Sequence, residues 1–92
     1  MQRVGLIGDP VAHSRSPAMQ NAAFAAVGLA ARYELWPTPA ATLAERVAAL
    51  RAVDVLGANV TIPHKRAIMP LLDEIAPTAQ MVGAVNTIVR RD

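Results

Sequence analysis

Short apolar segments alternate with segments of helical periodicity along the 92 residues of this chain. Four apolar runs predict strands at residues 4–7, 33–36, 55–62 and 85–89. Helical patterns fill the intervals, at residues 16–27 and 42–53 and as two short helices between residues 64 and 81, where prolines interrupt the pattern. The alternation predicts an α/β fold: a short mixed or mostly parallel sheet, flanked by helices and joined by right-handed crossovers.

Local signals mark the ends of these elements. Ser16 followed by Pro17 is typical of a helix start, where the serine hydroxyl caps free amides. Gly28 lies where a helix C-terminus favours positive φ, and Pro63 ends the third strand. For the helix at residues 42–53, Leu43, Val47 and Leu50 predict the buried face.

The length allows one domain with one modest core. Hydrophobic residues make up 53% of the chain but aromatic residues only 3%, so we expect a core of small aliphatic side chains.

The longest apolar run, residues 22–31, is far shorter than the roughly 20 residues that span a bilayer. The N-terminus has no apolar h-region of a signal peptide. We therefore predict a cytoplasmic protein without membrane association, and the lack of cysteine is compatible with a reducing compartment.

Charge and residue types argue against two other classes of function. The net charge is +2, and the basic residues form no stripe apart from the pairs at 65–66 and 90–91. Nucleic-acid binding is therefore not expected. His13 and His64 are the only histidines and no cysteine accompanies them, so no metal site is predicted.

Gly5 and Gly8 lie in and just after the first strand, where dinucleotide-binding folds carry a glycine-rich turn. The G-x-G-x-x-G pattern is absent, and Asp9 would bring a carboxylate toward a pyrophosphate. We interpret the glycines as shaping the exit from the strand, and no cofactor-binding residue is predicted in this chain.

Three groups of polar residues are candidates for ligand binding. Ser14 and Ser16 precede a helix, where hydroxyls and amides favour an anion, although taken alone Ser16 fits an ordinary cap and Ser14 an ordinary loop serine. Asn59 and Thr61 point to one side of the third strand and Lys65 follows its carboxyl end, where ligands bind in α/β sheets. In such a cleft Lys65 could donate or accept a proton, or it could be an ordinary solvated lysine.

Asn86 lies within the fourth predicted strand, among apolar neighbours. A buried amide must find hydrogen-bond partners, which the chain or a ligand could supply equally well.

Three stretches together, Ser14-x-Ser16-Pro17, residues 59–65 (NVTIPHK) and residues 83–87 (GAVNT), resemble shikimate dehydrogenases in order and spacing over residues 4–89. The resemblance implies the N-terminal, substrate-binding domain of an enzyme that reduces 3-dehydroshikimate to shikimate with NADPH in aromatic amino-acid biosynthesis. It further implies that Ser14 and Ser16 bind the substrate carboxylate, that Thr61 and Asn86 bind ring hydroxyls, and that Lys65 assists proton transfer.

The resemblance also implies parts that these 92 residues do not contain, namely the NADP-binding domain and the catalytic aspartate. A fourth strand that ends at Arg90-Arg91-Asp92 suggests a truncated α/β unit. Alone, such a domain is expected to be inactive, to bind no NADP(H) and to expose surfaces that favour self-association. A non-catalytic shikimate- or quinate-binding module, and a dehydrogenase that also uses quinate, remain alternatives.

Overall fold

The computed structural model describes residues 1–90 and contains one four-stranded sheet in the order β2-β1-β3-β4. The strands are β1 (Gln2–Gly8), β2 (Ala31–Pro37), β3 (Val55–Val60) and β4 (Thr87–Val89). The helices are α1 (Ser16–Ala26), α2 (Leu43–Ala49) and α3 (Pro77–Val82), with 3-10 turns at Ala40–Thr42 and Met69–Leu71. β1 pairs in parallel with β2 and β3, whereas β4 is antiparallel to β3. The predicted mixed α/β sheet is thus confirmed.

The predicted strands and longer helices are present, but the first of the two short helices expected between residues 64 and 81 is only a 3-10 turn at Met69–Leu71, and several boundaries were wrong. β4 begins at Thr87 rather than at residue 85, and β3 ends at Val60 rather than at residue 62. Helix α2 ends at Ala49, because the N–H groups of residues 50–52 each donate to the carbonyl three residues earlier, as in a 3-10 turn. The expectation of a truncated α/β unit depended on the residues that follow the fourth strand, and two of these, Arg91 and Asp92, lie outside the described residues.

Side chains of the sheet pack into two clusters, one on each face. On the α1 side, Leu6, Val11 and Tyr33 are buried together with Phe24 packed against them. The larger cluster, on the α2 side, includes Ile7, Trp36, Val60 and Ile68 from outside the helices. Leu43, Val47 and Leu50 join this cluster, which confirms the predicted buried face of the helix.

The two ends of α1 differ in how well the sequence predicted them. At the C-terminus Gly28 has φ +71°, as expected, and Leu29 N–H donates to the carbonyl of Phe24 in a Schellman motif. At the N-terminus Ser16 was expected to cap, but it is already helical and no side chain caps the helix from the N-cap position. Ser14 instead accepts a hydrogen bond from Ser16 N–H, at 3.1 Å from Oγ.

An ion-pair cluster ties the amino ends of the strands together. Arg3 on β1 donates to both carboxylate oxygens of Asp54, at 2.7 and 3.3 Å, and lies 3.5 Å from Glu34 on β2. The hydrogen bond from Arg3 lowers the pKa of the Asp54 carboxyl below its ordinary value of 3.8. The cluster lies at the edge of the sheet opposite the candidate site.

None of the helices in residues 1–90 is both long and apolar enough to cross a bilayer.

Candidate functional site

The candidate residues lie in segments that meet at one edge of the sheet. Because β1 and β3 are parallel, with Ile7 opposite Val60, their carboxyl ends lie side by side. The antiparallel strand β4 starts at the same edge, since Thr87 pairs with Asn59. Residues that follow β1, follow β3 and precede β4 therefore converge, as expected for ligand sites in α/β sheets.

A depression of about 330 Å³ lies at this edge, on the α1 side. Two hydroxyl residues from the loop before α1 and one that follows β3 line it, beside His13 and apolar groups. The lining residues are Leu6, Pro10, Val11, His13, Ser14, Ser16 and Thr61. The structure thus brings three of the five predicted ligand-binding residues into one cavity.

The serine hydroxyls, more than the amides of the helix, offer donors to this cavity. Ser14 Oγ accepts from Ser16 N–H, which leaves the Ser14 hydroxyl proton available to a ligand. Within residues 1–90 no hydrogen bond engages the Ser16 hydroxyl. Pro17 has no N–H and the Met19 amide donates to Arg15, so the first turn retains few free amides. An anion here would be bound chiefly by side chains.

Thr61 is held against the end of β1 by close backbone packing. Its amide donates to the Ile7 carbonyl at 2.9 Å, and Asp9 N–H donates to the Ile62 carbonyl at 3.1 Å. A Cβ at Gly8 would collide with the Thr61 methyl group. Gly8 therefore allows the loop after β3 to approach β1, and the half-buried Thr61 lines the cavity.

The glycines of β1 do not form a phosphate cradle. The indole of Trp36 fills the space beside Gly5, and Thr61 and Val11 fill the space beside Gly8. Since the chain itself occupies both spaces, these residues do not fit a dinucleotide pyrophosphate. We interpreted both glycines as shaping the exit from the strand, but Gly5 lies within β1, where it makes room for Trp36, and Gly8 makes room for Thr61 and Val11.

Lys65 and Asn86 line a second, larger groove of about 1330 Å³, between β3–β4 and the segment that contains α3. Lys65 is half-buried, and its side chain makes no hydrogen bond or ion pair within the described part of the chain. Val85 N–H donates to the Lys65 carbonyl at 2.8 Å, and Val60 N–H donates to the Asn86 carbonyl at 2.8 Å. These two bonds tie both residues to the carboxyl end of β3.

The expectation that Asn86 is a buried strand residue was wrong. Asn86 precedes β4 and its side chain is exposed, whereas the preceding Val85 is buried in the α2-side cluster. Apolar neighbours on both sides suggested burial, but only the strand register decides which side chain points into the core. The Asn86 amide is therefore accessible to a ligand.

Sequence reasoning missed two residues, His64 and Tyr33, whose side-chain contacts hold the segments of this site in place. His64 is buried, and its Nε2 contacts the carbonyl of Thr38, which anchors the turn that carries Lys65. The phenol of Tyr33 reaches Asn59 on another strand. Neither partner is near in sequence, so no local pattern indicated these contacts.

Residues 1–90 contain no group of three or more acidic, histidine or cysteine side chains placed to hold a metal ion.

A mixed α/β sheet with hydroxyl, amide and ammonium groups gathered at one edge defines a small-molecule-binding domain. The chain belongs to the family of shikimate dehydrogenase substrate binding domains, whose model matches residues 6–88.

Known relatives agree with this assignment. The chain is 58% identical, over 96% of its length, to the NADP(+) shikimate dehydrogenase of Symbiobacterium thermophilum, of which it spans 30%. The shikimate dehydrogenase of Thermus thermophilus, solved in complex with shikimate, is 43% identical with a TM-score of 0.94 over 99% of this chain and 35% of that one. The 5-ketofructose reductase of a Gluconobacter species is 35% identical, with a TM-score of 0.94 over 99% of this chain and 33% of that one.

Proposed function

We propose that this chain is the substrate-binding domain of an NADP-dependent shikimate dehydrogenase, which reduces 3-dehydroshikimate to shikimate. The observation that carries the proposal is the cavity at the start of α1, which Ser14, Ser16 and Thr61 line together. Three hydroxyl donors close together suit a carboxylate and its neighbouring ring oxygens. The curated relatives matched by this chain are named as NADP(+) enzymes.

Each residue has a proposed role that its surroundings support. Ser14 and Ser16 donate to the substrate carboxylate, since both hydroxyl protons are unused by the described chain. Thr61 and Asn86 bind ring hydroxyls from the two sides of the β3 terminus.

Lys65 assists the proton transfer that accompanies hydride movement. Its ammonium has no partner in residues 1–90 and stands on a turn anchored by the buried His64. NADPH supplies the hydride in the proposed reaction. We expect that cofactor to bind elsewhere than at β1, because side chains of residues 1–90 fill the space beside both of its inner glycines, Gly5 and Gly8.

The proposal is tested by calorimetric titration of the complete gene product with shikimate and with quinate. Ser16→Ala is the cleaner variant, because the Ser16 hydroxyl makes no described hydrogen bond, whereas Ser14→Ala also removes the acceptor for Ser16 N–H. A charge-assisted bond contributes about 1.5–3 kcal/mol, so we expect Ser16→Ala to weaken shikimate binding about 10- to 100-fold.

A matched control and a second ligand sharpen this test. Thr42→Val removes an exposed hydroxyl that bonds only the Pro39 carbonyl, and it should leave binding unchanged. 5-Ketofructose, a neutral sugar ketone, is the substrate named for one structural relative. If it binds more tightly than shikimate, or if Ser16→Ala has no effect, the carboxylate site is wrong.

A further inference from the structure

Four side chains form a continuous hydrogen-bonded chain that runs from the α1-side core to the candidate site. The Tyr33 phenol donates to Asn59 Oδ1 at 2.8 Å. Asn59 Nδ2 donates to Thr87 Oγ1 at 3.3 Å, and the Thr87 hydroxyl donates to Asn86 Oδ1 at 3.1 Å. We call these residues the Tyr33–Asn86 relay.

The buried phenol of Tyr33 determines which group donates and which accepts in each hydrogen bond of the relay. Tyr33 is 4% exposed, so its hydroxyl proton needs an acceptor within the protein, and Asn59 is the partner that residues 1–90 provide. Burial also raises the pKa of Tyr33, which keeps the phenol protonated and therefore a donor.

Each orientation then determines the next one along the relay. With Oδ1 turned toward Tyr33, the Asn59 amide must present its NH2 group to Thr87. Thr87 accepts that bond and has a single proton, which goes to Asn86 Oδ1. Asn86 Nδ2 has no acceptor within residues 1–90, so both of its protons are available at the exposed end.

We propose that Tyr33 and Thr87, acting through Asn59, are positioning residues that orient Asn86 so that it binds its ligand as a hydrogen-bond donor. The proposal deepens the function proposed above and rests on it in taking the ligand to be shikimate. The ligand must then offer Asn86 an oxygen lone pair.

Side-chain amide NMR tests the relay without a ligand. The asparagines of the chain are Asn21, Asn59 and Asn86. Asn21 serves as an internal reference, because its side chain bonds the backbone N–H and carbonyl of Tyr33, at 2.8 and 3.1 Å, and not its phenol. In 15N-labelled protein, Tyr33→Phe should shift the amide signals of Asn59 and Asn86 and leave those of Asn21 in place. A shift confined to Asn59 would overturn the relay.

A second variant covers the case in which Tyr33→Phe disturbs the core. Thr87→Val removes the middle hydroxyl from an exposed position and should shift the same two amides. Thr87→Ser keeps the hydroxyl and should restore the parent signals. Thr42→Val, which removes a hydroxyl away from the relay, should change neither amide. If Thr87→Val leaves Asn86 unshifted, the proposal is rejected.

Titration with shikimate connects the relay to binding. Loss of one hydrogen bond corresponds to roughly a 3- to 10-fold change, so Tyr33→Phe and Thr87→Val should weaken binding by about that factor, with Thr87→Ser near the parent value. Unchanged affinity in both variants would overturn the role in binding. If the parent protein does not bind shikimate at all, the proposed function fails, while the NMR result still decides whether the relay orients Asn86.

Discussion

The indole ring of Trp36 occupies the space beside Gly5 in which any other residue would place its Cβ. Trp36 is the largest side chain of the α2-side cluster, and Arg46 stacks on its outer surface, 5.2 Å from the ring centroid. A glycine in the middle of a strand is normally unfavourable, but here it allows an aromatic ring to lie flat on the sheet.

This packing predicts that Gly5→Ala is destabilising, although alanine favours a strand more than glycine does. Overpacking a filled core costs about 1–3 kcal/mol, because the buried ring has no space to move into. Urea unfolding followed by circular dichroism measures the change. In a Trp36→Leu background the cost of Gly5→Ala should fall, and equal costs in both backgrounds would contradict the contact.

A second prediction concerns the turn that carries Lys65. His64 is 1% exposed and its ring contacts the equally buried Thr38, so His64→Ala leaves a cavity and an unpaired carbonyl. We expect a loss of about 2–4 kcal/mol in the free energy of unfolding. His64→Gln retains an amide donor and should lose less. Equal losses in the two variants would show that the hydrogen bond to Thr38 contributes nothing.

Lys65 should matter for turnover and not for stability. Its side chain makes no hydrogen bond or ion pair within residues 1–90, so Lys65→Ala should change the free energy of unfolding by less than about 0.5 kcal/mol. Proton transfer by a positioned group contributes about 10²- to 10⁴-fold to rate, so kcat of the complete enzyme should fall by that factor. The neighbouring, exposed Arg66 provides the control variant Arg66→Ala. A Lys65→Ala enzyme with near-normal kcat would exclude the proposed role.

The Arg3–Asp54 pair predicts an acid-dependent loss of stability. The pKa of Asp54 is lowered in the folded protein, so its contribution is present above the ordinary value of 3.8 and disappears as the pH falls through the folded value. Asp54→Asn should therefore flatten the decline in stability below about pH 4. Urea unfolding between pH 2 and pH 6 measures this, with Asp73→Asn as the control for an exposed ion pair. Identical acid profiles for Asp54→Asn and the parent would contradict the effect.

Tyr33 is the single tyrosine of the chain, so its titration can be observed directly. Burial raises its pKa above the ordinary value of 10.0, and the ultraviolet absorbance of phenolate should therefore appear at a higher pH than for free tyrosine. Since the folded pKa is the higher one, the contribution of Tyr33 to stability is present below pH 10 and is lost as the pH rises above it. A midpoint at the ordinary value, in protein that circular dichroism shows to be folded, would contradict the burial of the phenol.

Local sequence patterns predicted the elements well and some functional details poorly. Gly28 ends α1 as expected, because only positive φ closes the Schellman motif there. The start of α1 was expected one residue too late and with the wrong cap, because Ser16 is itself helical and Ser14 accepts its N–H. Asn86 was placed inside a strand because apolar neighbours flank it, whereas the register of β4 with β3 leaves it outside and exposed.

The sequence by itself determined the alternation of strands and helices, the end of α1 at Gly28 and the polar residues available for binding. These features depend on periodicity and on the backbone preferences of glycine and proline, which act over a few residues. Only the tertiary structure decided how those residues are grouped and oriented. Tyr33 meets Asn59 across 26 residues of sequence, and Asn59 meets Thr87 across 28. The order of strands in the sheet determines such contacts, and no local pattern encodes it.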